Sequence, residues 1–566
     1  MINRAWLFGG IAAAQCLNCL AQTVPDAGRL DDRNRPPPPS SPPAAPRVVV
    51  NPSGLPSQPG QPALTEGSLM VKGFRFSGDL DGIAPATLAS LTAGDGGRVM
   101  ALSELHTVAD KVERHLQADL GLVVAKAWVP LQDVRDGMVE IRILQGTVEQ
   151  LKLATAPGQP AVPSGALAPA RTLLPPGAAI SRARLEEAVY RMSDYVGTPV
   201  RAVLLPAAAL GRYDIQFELD AAGRVSGSVS VDNTGNRYTS QWHDTLNLKI
   251  ANLTGHADQL QLTGQLLTDK QRSLRAHYQH PLPGDYRIGL SGQVSRYELG
   301  GAFEPLDAHG RTTLFGVDLQ RALARSRAYN LYASAEVLRR KLTNHQLGAL
   351  TSEHAVNELN LGLRTDWTSG TAFNYGWVTL TGGNVKLDGA ALDAVSDHLG
   401  PDLRGGFGKL AFGYTRSQPV DKDSSVVANL SGQLASKNLD SSETFLLGGM
   451  GAVRAYPSGE TAGDQSLVAQ IEYHRQFGQA LRGFAFYDMG WIKVRKHPWP
   501  GFVGDNSFTL KGAGVGVAWQ PASRVELSLI AARKLGHNPV ADPLTGNDSD
   551  GRSSRFRVWA FAIFRF

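Results

Sequence analysis

Cysteine is almost absent from this 566-residue chain, which holds only Cys16 and Cys19. A disulfide-stapled scaffold is therefore excluded. Long hydrophobic runs are missing too. No apolar stretch of 18 or more follows the N-terminal region, so membrane-crossing helices are excluded. Charge of one sign is also lacking. The 56 Lys and Arg face 51 Asp and Glu, without the basic excess of a nucleic-acid-binding chain. Signatures of catalysis are absent as well: there is no Gly-x-Ser-x-Gly, no His-Glu-x-x-His and no phosphate loop. His106 and His115 are nine apart and share no helical face, so they do not read as metal ligands. Asn547-Asp548-Ser549-Asp550-Gly551 lacks the glutamate that completes a calcium loop and reads as an exposed turn. Neither a cofactor nor an enzymatic activity is expected. What the chain has in excess is glycine, 61 residues against the usual ~7%.

Arg4 is the only charge before residue 22, an apolar stretch follows it, and Cys19-Leu20-Ala21 ends on a small residue. That order predicts a secretory signal peptide over 1–21, which removes both cysteines from the mature chain. Residues 22–66 contain 12 of the 33 prolines, among them Pro36 to Pro39. They predict an extended periplasmic linker, with room for only a short helix over Asp26 to Arg35.

Two small α/β modules follow, expected over 67–153 and 165–222. In the first, Met70 to Phe76 reads as a strand, and Ser103 is the expected cap of a helix. Leu105, Val108, Val112, Leu116 and Leu120 line one face of that helix, and Gly121 ends it. Val123 to Val129 and Met138 to Leu144 then read as paired strands around Asp136-Gly137. The second module has a helix within Ile180 to Gly197 and strands near Val200–Leu205 and Tyr213–Leu219. The run from Ala127 to Gly137, carrying Pro130, Gln132 and Gly137, resembles the first polypeptide-transport-associated (POTRA) domain of two-partner secretion transporters.

From residue 223 the pattern is short segments alternating in polarity, such as Leu246-Asn247-Leu248-Lys249-Ile250 and Val525-Glu526-Leu527-Ser528-Leu529. A period of two gives each strand one apolar and one polar face. Sixteen such segments can be drawn between 225 and 566. Every even-to-odd connection is short and most odd-to-even ones are long, notably 298–309, 384–401, 437–463, 494–506 and 535–552. An even strand number with that loop asymmetry predicts an antiparallel transmembrane β-barrel over 223–566. Gly512, Gly514 and Gly516 share one face of a strand, where neighbours crowd or the strand bends.

Loop 437–463, the sixth on the long-loop side, contains Val453-Arg454-Ala455-Tyr456. Strand 13 contains Phe486-Tyr487-Asp488-Met489-Gly490. These resemble the Val-Arg-Gly-Tyr/Phe and Phe-x-Asp-x-Gly motifs of two-partner secretion transporters and their barrel-assembly relatives. Asp232-Asn233-Thr234-Gly235, at the end of the first strand, resembles the same family's Asp-Asn-x-Gly. The aromatic end of the chain, Phe566, resembles the terminal signal read by the barrel-assembly machinery. Alternation turns Asp488 inward with Phe484 and Phe486. A carboxylate there wants a cation, and Arg454 offers a matching planar fork. The resemblance implies that loop six folds into the lumen and that this pair forms. Ala455 stands where the family has Gly and would be strained if its φ were positive.

The expected architecture is two POTRA domains in the periplasm followed by a 16-stranded barrel in the outer membrane. The resemblance implies a transporter, expected to be a monomer, that secretes one large unfolded partner protein of adhesin, haemolysin or toxin type. Loop six would shift as the client passes. The alternatives are a barrel-insertion factor of the same superfamily and an outer-membrane barrel enzyme.

Overall fold

The structure, a computed structural model, describes residues 25–31, 47–50, 67–154, 164–219, 224–265, 270–387 and 389–566. The expected leader over 1–21 lies outside them. No helix among the described residues is long and apolar enough to cross a membrane.

The five-residue helix α1 (Ala27–Asp31) stands apart from the first module. Helix α2 (Pro85–Thr92) and helix α3 (Leu102–Ala118) cover a three-stranded sheet of Gly73–Gly78, Met138–Gln145 and Ala125–Trp128. Leu105, Val108, Val112 and Leu116 are buried against Val139, Ile141 and Ile143, as the helical spacing requires. The expected cap at Ser103 is corrected. Ala101 bounds the helix, and the Glu104 carboxylate reaches back to the Ala101 N–H at 2.7 Å. Leu120 falls beyond the helix end and is exposed, because Gly121 turns the chain with φ +66°.

The boundary between modules lies earlier than 153. Strand Thr147–Ala154 pairs in parallel with Arg212–Leu219, so it belongs to the second sheet. Val148 accordingly lies in the second core. The switch occurs at Gly146, where a Cβ would stand 2.6 Å from the Val124 Cβ. Only Gly146 separates the two strands in sequence, so their pairing rather than their spacing shows that they belong to different sheets. Helices α4 (Ala168–Leu173) and α5 (Arg182–Val196) cover the second sheet. Helix α5 begins at Ser181, which accepts the Arg184 N–H, and stops at Gly197 with φ +71°.

The linker expectation also changes. Arg47–Val50 adds in parallel to the edge strand Val200–Pro206 of the second module, and α1 lies inside the barrel. The helix is as short as the prolines allow, but its place is the lumen rather than the periplasm.

The barrel strands are β1 (Val225–Asp232), β2 (His243–Ala251), β3 (Gln259–Gln265), β4 (Gln271–Leu282), β5 (Tyr286–Glu298), β6 (His309–Arg325), β7 (Tyr329–Gln346) and β8 (Ala349–Ser369). The other half is β9 (Ala372–Leu387), β10 (Gly405–Pro419), β11 (Ser424–Ala435), β12 (Gln465–Phe477), β13 (Leu481–Lys493), β14 (Ser507–Ala522), β15 (Val525–Lys534) and β16 (Phe556–Arg565). All sixteen are antiparallel neighbours, and β16 returns to β1 to close the ring. Closure leaves no strand edge unpaired, the condition for crossing lipid. On β8, Leu359, Leu361 and Leu363 are 46–48% exposed on the outer face, while inward Glu358 is 6% exposed. Lipid satisfies the first set and the lumen the second. The β7–β8 connection is only Leu347-Gly348, an exception on the long-loop side, because these strands themselves project. Helix α6 (Ala391–Leu399), in the β9–β10 loop, has no counterpart in the sequence reading.

Candidate functional site

Loop six, between β11 and β12, enters the lumen as a small hairpin, Phe445–Leu447 paired with Thr461–Gly463. Gly448 and Gly449 carry φ of +104° and +86° and turn the chain into the tip. A Cβ on Gly448 would meet the Pro457 carbonyl oxygen at 2.5 Å, so both conformation and space require glycine there.

The tip delivers Arg454 to Asp488 on β13. Nε and Nη2 of Arg454 donate to the two carboxylate oxygens at 2.9 and 2.6 Å, and its backbone N–H donates at 3.0 Å. Nη1 donates to Glu472 on β12 at 2.5 Å, and the guanidinium lies 3.6 Å from the Phe486 ring centroid. Arg454 is 3% and Asp488 0% exposed. Burial alone would lower the Arg454 pKa, but Asp488 and Glu472 more than offset it and hold the cation. An ion pair so dry is tolerable only when its remaining donors are satisfied, and here they are. Glu472 and Trp559 were not anticipated. Glu472 is legible afterwards as an inward carboxylate on β12. Trp559 on β16 donates to the Arg454 carbonyl at 2.8 Å, a contact no spacing reveals.

The neighbours of Arg454 seat the rest of the tip. Val453 and Tyr456 are fully buried, and a Cβ on Gly490 would meet Leu447 at 2.4 Å and Val453 at 3.0 Å. Lys534, paired with Asp548, stands 5.2 Å from the Tyr456 ring centroid. The strain expected at Ala455 is absent: its φ is not positive, and the left-handed positions are Gly448 and Gly449. What Ala455 needs is room. Its Cβ faces Gly512, where an added Cβ would come within 2.6 Å. Cβ atoms on Gly514 and Gly516 would likewise meet the rings of Phe486 and Phe484 at 2.5 and 2.2 Å. The glycine stripe on β14 is therefore a channel that accepts Ala455 and two rings.

The first-strand motif closes the barrel beside this seat. Asn233 reaches across to β16: its amide donates to the Val558 carbonyl at 3.1 Å and accepts the Ala560 N–H at 2.8 Å. Asp232 accepts from Thr234, and the Thr234 carbonyl accepts from Ser458 of loop six at 2.6 Å. A Cβ on Gly235 would fall 1.8 Å from the Ser240 carbonyl oxygen. Phe566 exchanges two backbone bonds of 3.0 Å with Gly227 at the other end of the seam. The Pro130, Gln132 and Gly137 set stands elsewhere, in the first module. There the Gln132 amide pairs with the Glu140 backbone at 2.7 and 2.9 Å, and Gly137 turns with φ +78°.

Nearer the hairpin stem, Glu443 binds Lys409 at 2.6 Å and Arg340 at 2.5 Å. Burial raises the Glu443 carboxyl, but those two cations more than offset it and leave it below the ordinary range. Asp440 pairs with His354, which also meets Asp393 of α6 at 3.0 Å. Against this stem lies α1. The Ala27 N–H donates to Asn344 at 3.0 Å, and a Cβ on Gly28 would be 2.4 Å from the Ser441 hydroxyl.

Comparison with known proteins places these features. The model of the haemolysin secretion/activation protein family ShlB/FhaC/HecB matches residues 211–519. A heme/hemopexin transporter protein, HuxB of Haemophilus influenzae, is 26% identical over 464 residues, 80% of this chain and 81% of that protein. The outer membrane transporter CdiB of Dickeya dadantii is 24% identical over 404 residues, 69% of each. The solved structure of CdiB from Escherichia coli shares the fold, with a TM-score of 0.66 at 19% identity, covering 90% of this chain and 93% of that one. The closed sixteen-stranded ring, the two α/β modules and this agreement lead to one conclusion: the chain belongs to the haemolysin secretion/activation family, the outer-membrane transporters of two-partner secretion, with its POTRA domains in the periplasm.

Proposed function

We propose that this transporter passes one large, unfolded partner protein through its barrel, with Arg454–Asp488 acting as the lock that holds loop six in place. The observation that carries the lock is the three-point grip of Arg454 on Asp488 at zero exposure. The relatives' names speak of heme/hemopexin transport and of a CdiB transporter. The client class that the sequence motifs imply is a large exported protein of adhesin, haemolysin or toxin type. Client capture falls to the POTRA domains, where an extended chain can add to a sheet edge. Among the described residues, Gly73–Gly78 and Ala125–Trp128 are edges of the first sheet and Thr147–Ala154 is an edge of the second beyond Val148, while Arg47–Val50 occupies Val200–Pro206. The Phe566 end serves the barrel-assembly machinery, and the protein works as a monomer without covalent catalysis.

Deleting the gene and cataloguing secreted and outer-membrane proteins tests this reading. Loss of a single large exported protein, with other barrels intact, is the expected result. Loss of many barrels instead would assign the chain to barrel insertion.

A further inference from the structure

Between α5 of the second POTRA domain and the periplasmic rim of the barrel lies a cavity of about 610 Å³. Its lining holds seven basic and two acidic side chains. Both acids are already paired, Asp194 with Arg325 at 2.5 Å and Asp285 with Arg191. Arg325 is also stacked, its guanidinium 4.8 Å from the Tyr190 and 5.3 Å from the Tyr332 ring centroid. The strand periodicity turns Lys249, Arg287 and Arg364 toward the lumen. None of the three stands at ion-pair distance from a carboxylate among the described residues. Lys249 and Arg287 do find partial negative charge, at the Gly197 and Tyr195 carbonyls that end α5, at 3.2 and 2.9 Å. Arg364 has only the face of Tyr332, 4.4 Å from its centroid, and Asp366 on its own strand is held by the Asn330 amide at 2.7 Å.

The opposite end of the lumen differs. There the buried carboxylates Asp488, Glu472, Glu443 and Asp548 have cationic partners, and Glu460 is held by Asn538 and the Ser549 N–H. Uncompensated charge is thus positive and concentrated at the periplasmic mouth. A cleft of one sign with low-dielectric walls focuses its field and concentrates the opposite charge. Arginine among tyrosine faces grips a carboxylate in two-pronged fashion while leaving the peptide backbone free to slide.

From this geometry we infer that the cavity is an entry site for acidic segments of the unfolded client, held by Arg287, Arg364 and Lys249. The inference rests on the transport reading above and adds the chemistry recognised at the threshold. An extended chain carrying Asp or Glu side chains fits a site of this size, and it is drawn in before any folding outside the cell.

The test uses the full chain in detergent and a fluorescent, unstructured peptide of six glutamates. Wild type should bind it, a hexalysine peptide should not, and each of Arg287→Gln and Arg364→Gln should weaken binding about tenfold, or about 1.4 kcal/mol. Arg311→Gln, at an outward-facing position of β6 outside the cavity lining, serves as a control expected to leave binding unchanged. Heat-modifiable migration of each variant confirms a folded barrel. Equal binding of both peptides, or no effect of either lumen substitution, overturns the inference. So does full competition by millimolar inorganic phosphate, which would mark a simple anion site only. Secretion by the wild type is scored separately. If it fails while peptide binding holds, the transport reading falls and the anionic site survives.

Discussion

Arg454 shows how one side chain can decide the position of a whole loop. Its Nε, its Nη2 and its own backbone N–H converge on Asp488, while Nη1 reaches Glu472. Removing one partner leaves the other buried and uncompensated, a loss on the order of 3–5 kcal/mol. Arg454→Ala and Asp488→Ala should each release the loop-six tip and reduce secretion. Wild-type export by both variants would remove the lock from the mechanism. A second residue-scale expectation concerns room rather than charge. Gly512→Ala should push Ala455 off β14 and lower barrel stability by about 1–3 kcal/mol. The double variant Ala455→Gly with Gly512→Ala should recover most of that loss. A double-mutant cycle on thermal unfolding that shows no coupling would contradict the packing.

Loop six meets the loop between β15 and β16 through Glu460. Asn538 donates to its carboxylate at 2.5 Å and the Ser549 N–H at 2.9 Å. Burial, then the nearby Asp548 charge, pushes the Glu460 pKa up from 4.5 to about 7. Between those two values the unfolded chain releases this proton while the folded protein keeps it. Stability therefore falls as pH rises through that window and levels off above about 7. The effect is about 3 kcal/mol at most. Glu460→Gln should flatten that slope, as followed by the melting of the folded barrel from pH 4 to 8. An unchanged slope would mean that the carboxylate titrates normally. Element pairing also explains the misplaced module boundary: a single residue, Gly146, separates the two strands, and only the parallel partner Arg212–Leu219 reveals the sheet of the second.

At the scale of the molecule, two separate pieces among the described residues occupy the lumen. Loop six packs against β12 to β16, and α1 packs against β5, β6 and β7 beside the loop-six stem. Residues 25–31 thus lie inside the barrel while Arg47–Val50 lies on the second POTRA sheet, so the proline-rich linker joins the two. Deleting residues 25–31 should raise single-channel conductance in planar bilayers several-fold without lowering the barrel's melting temperature. A conductance equal to wild type would mean that loop six alone closes the pore. Helix α5 sets the third relation, fixed to the rim by Asp194–Arg325 and Asp285–Arg191.

Strand number and strand polarity were legible without coordinates, because each depends on local alternation, and the pairing of Arg454 with Asp488 was implied by the resemblance of its two motifs to the family's. A period of two needs only neighbouring residues to declare which face meets lipid, and a carboxylate on the inward face demands a cation wherever it comes from. The lumen seat of α1, the strand borrowed by the second POTRA sheet, Glu472, Trp559 and the basic mouth were not legible. Each joins residues tens to hundreds of positions apart whose types are unremarkable alone. Ala455 is the clearest instance: sequence marked it as a departure, and only the fold showed that glycine at position 512, on a different strand, makes the space its methyl group fills.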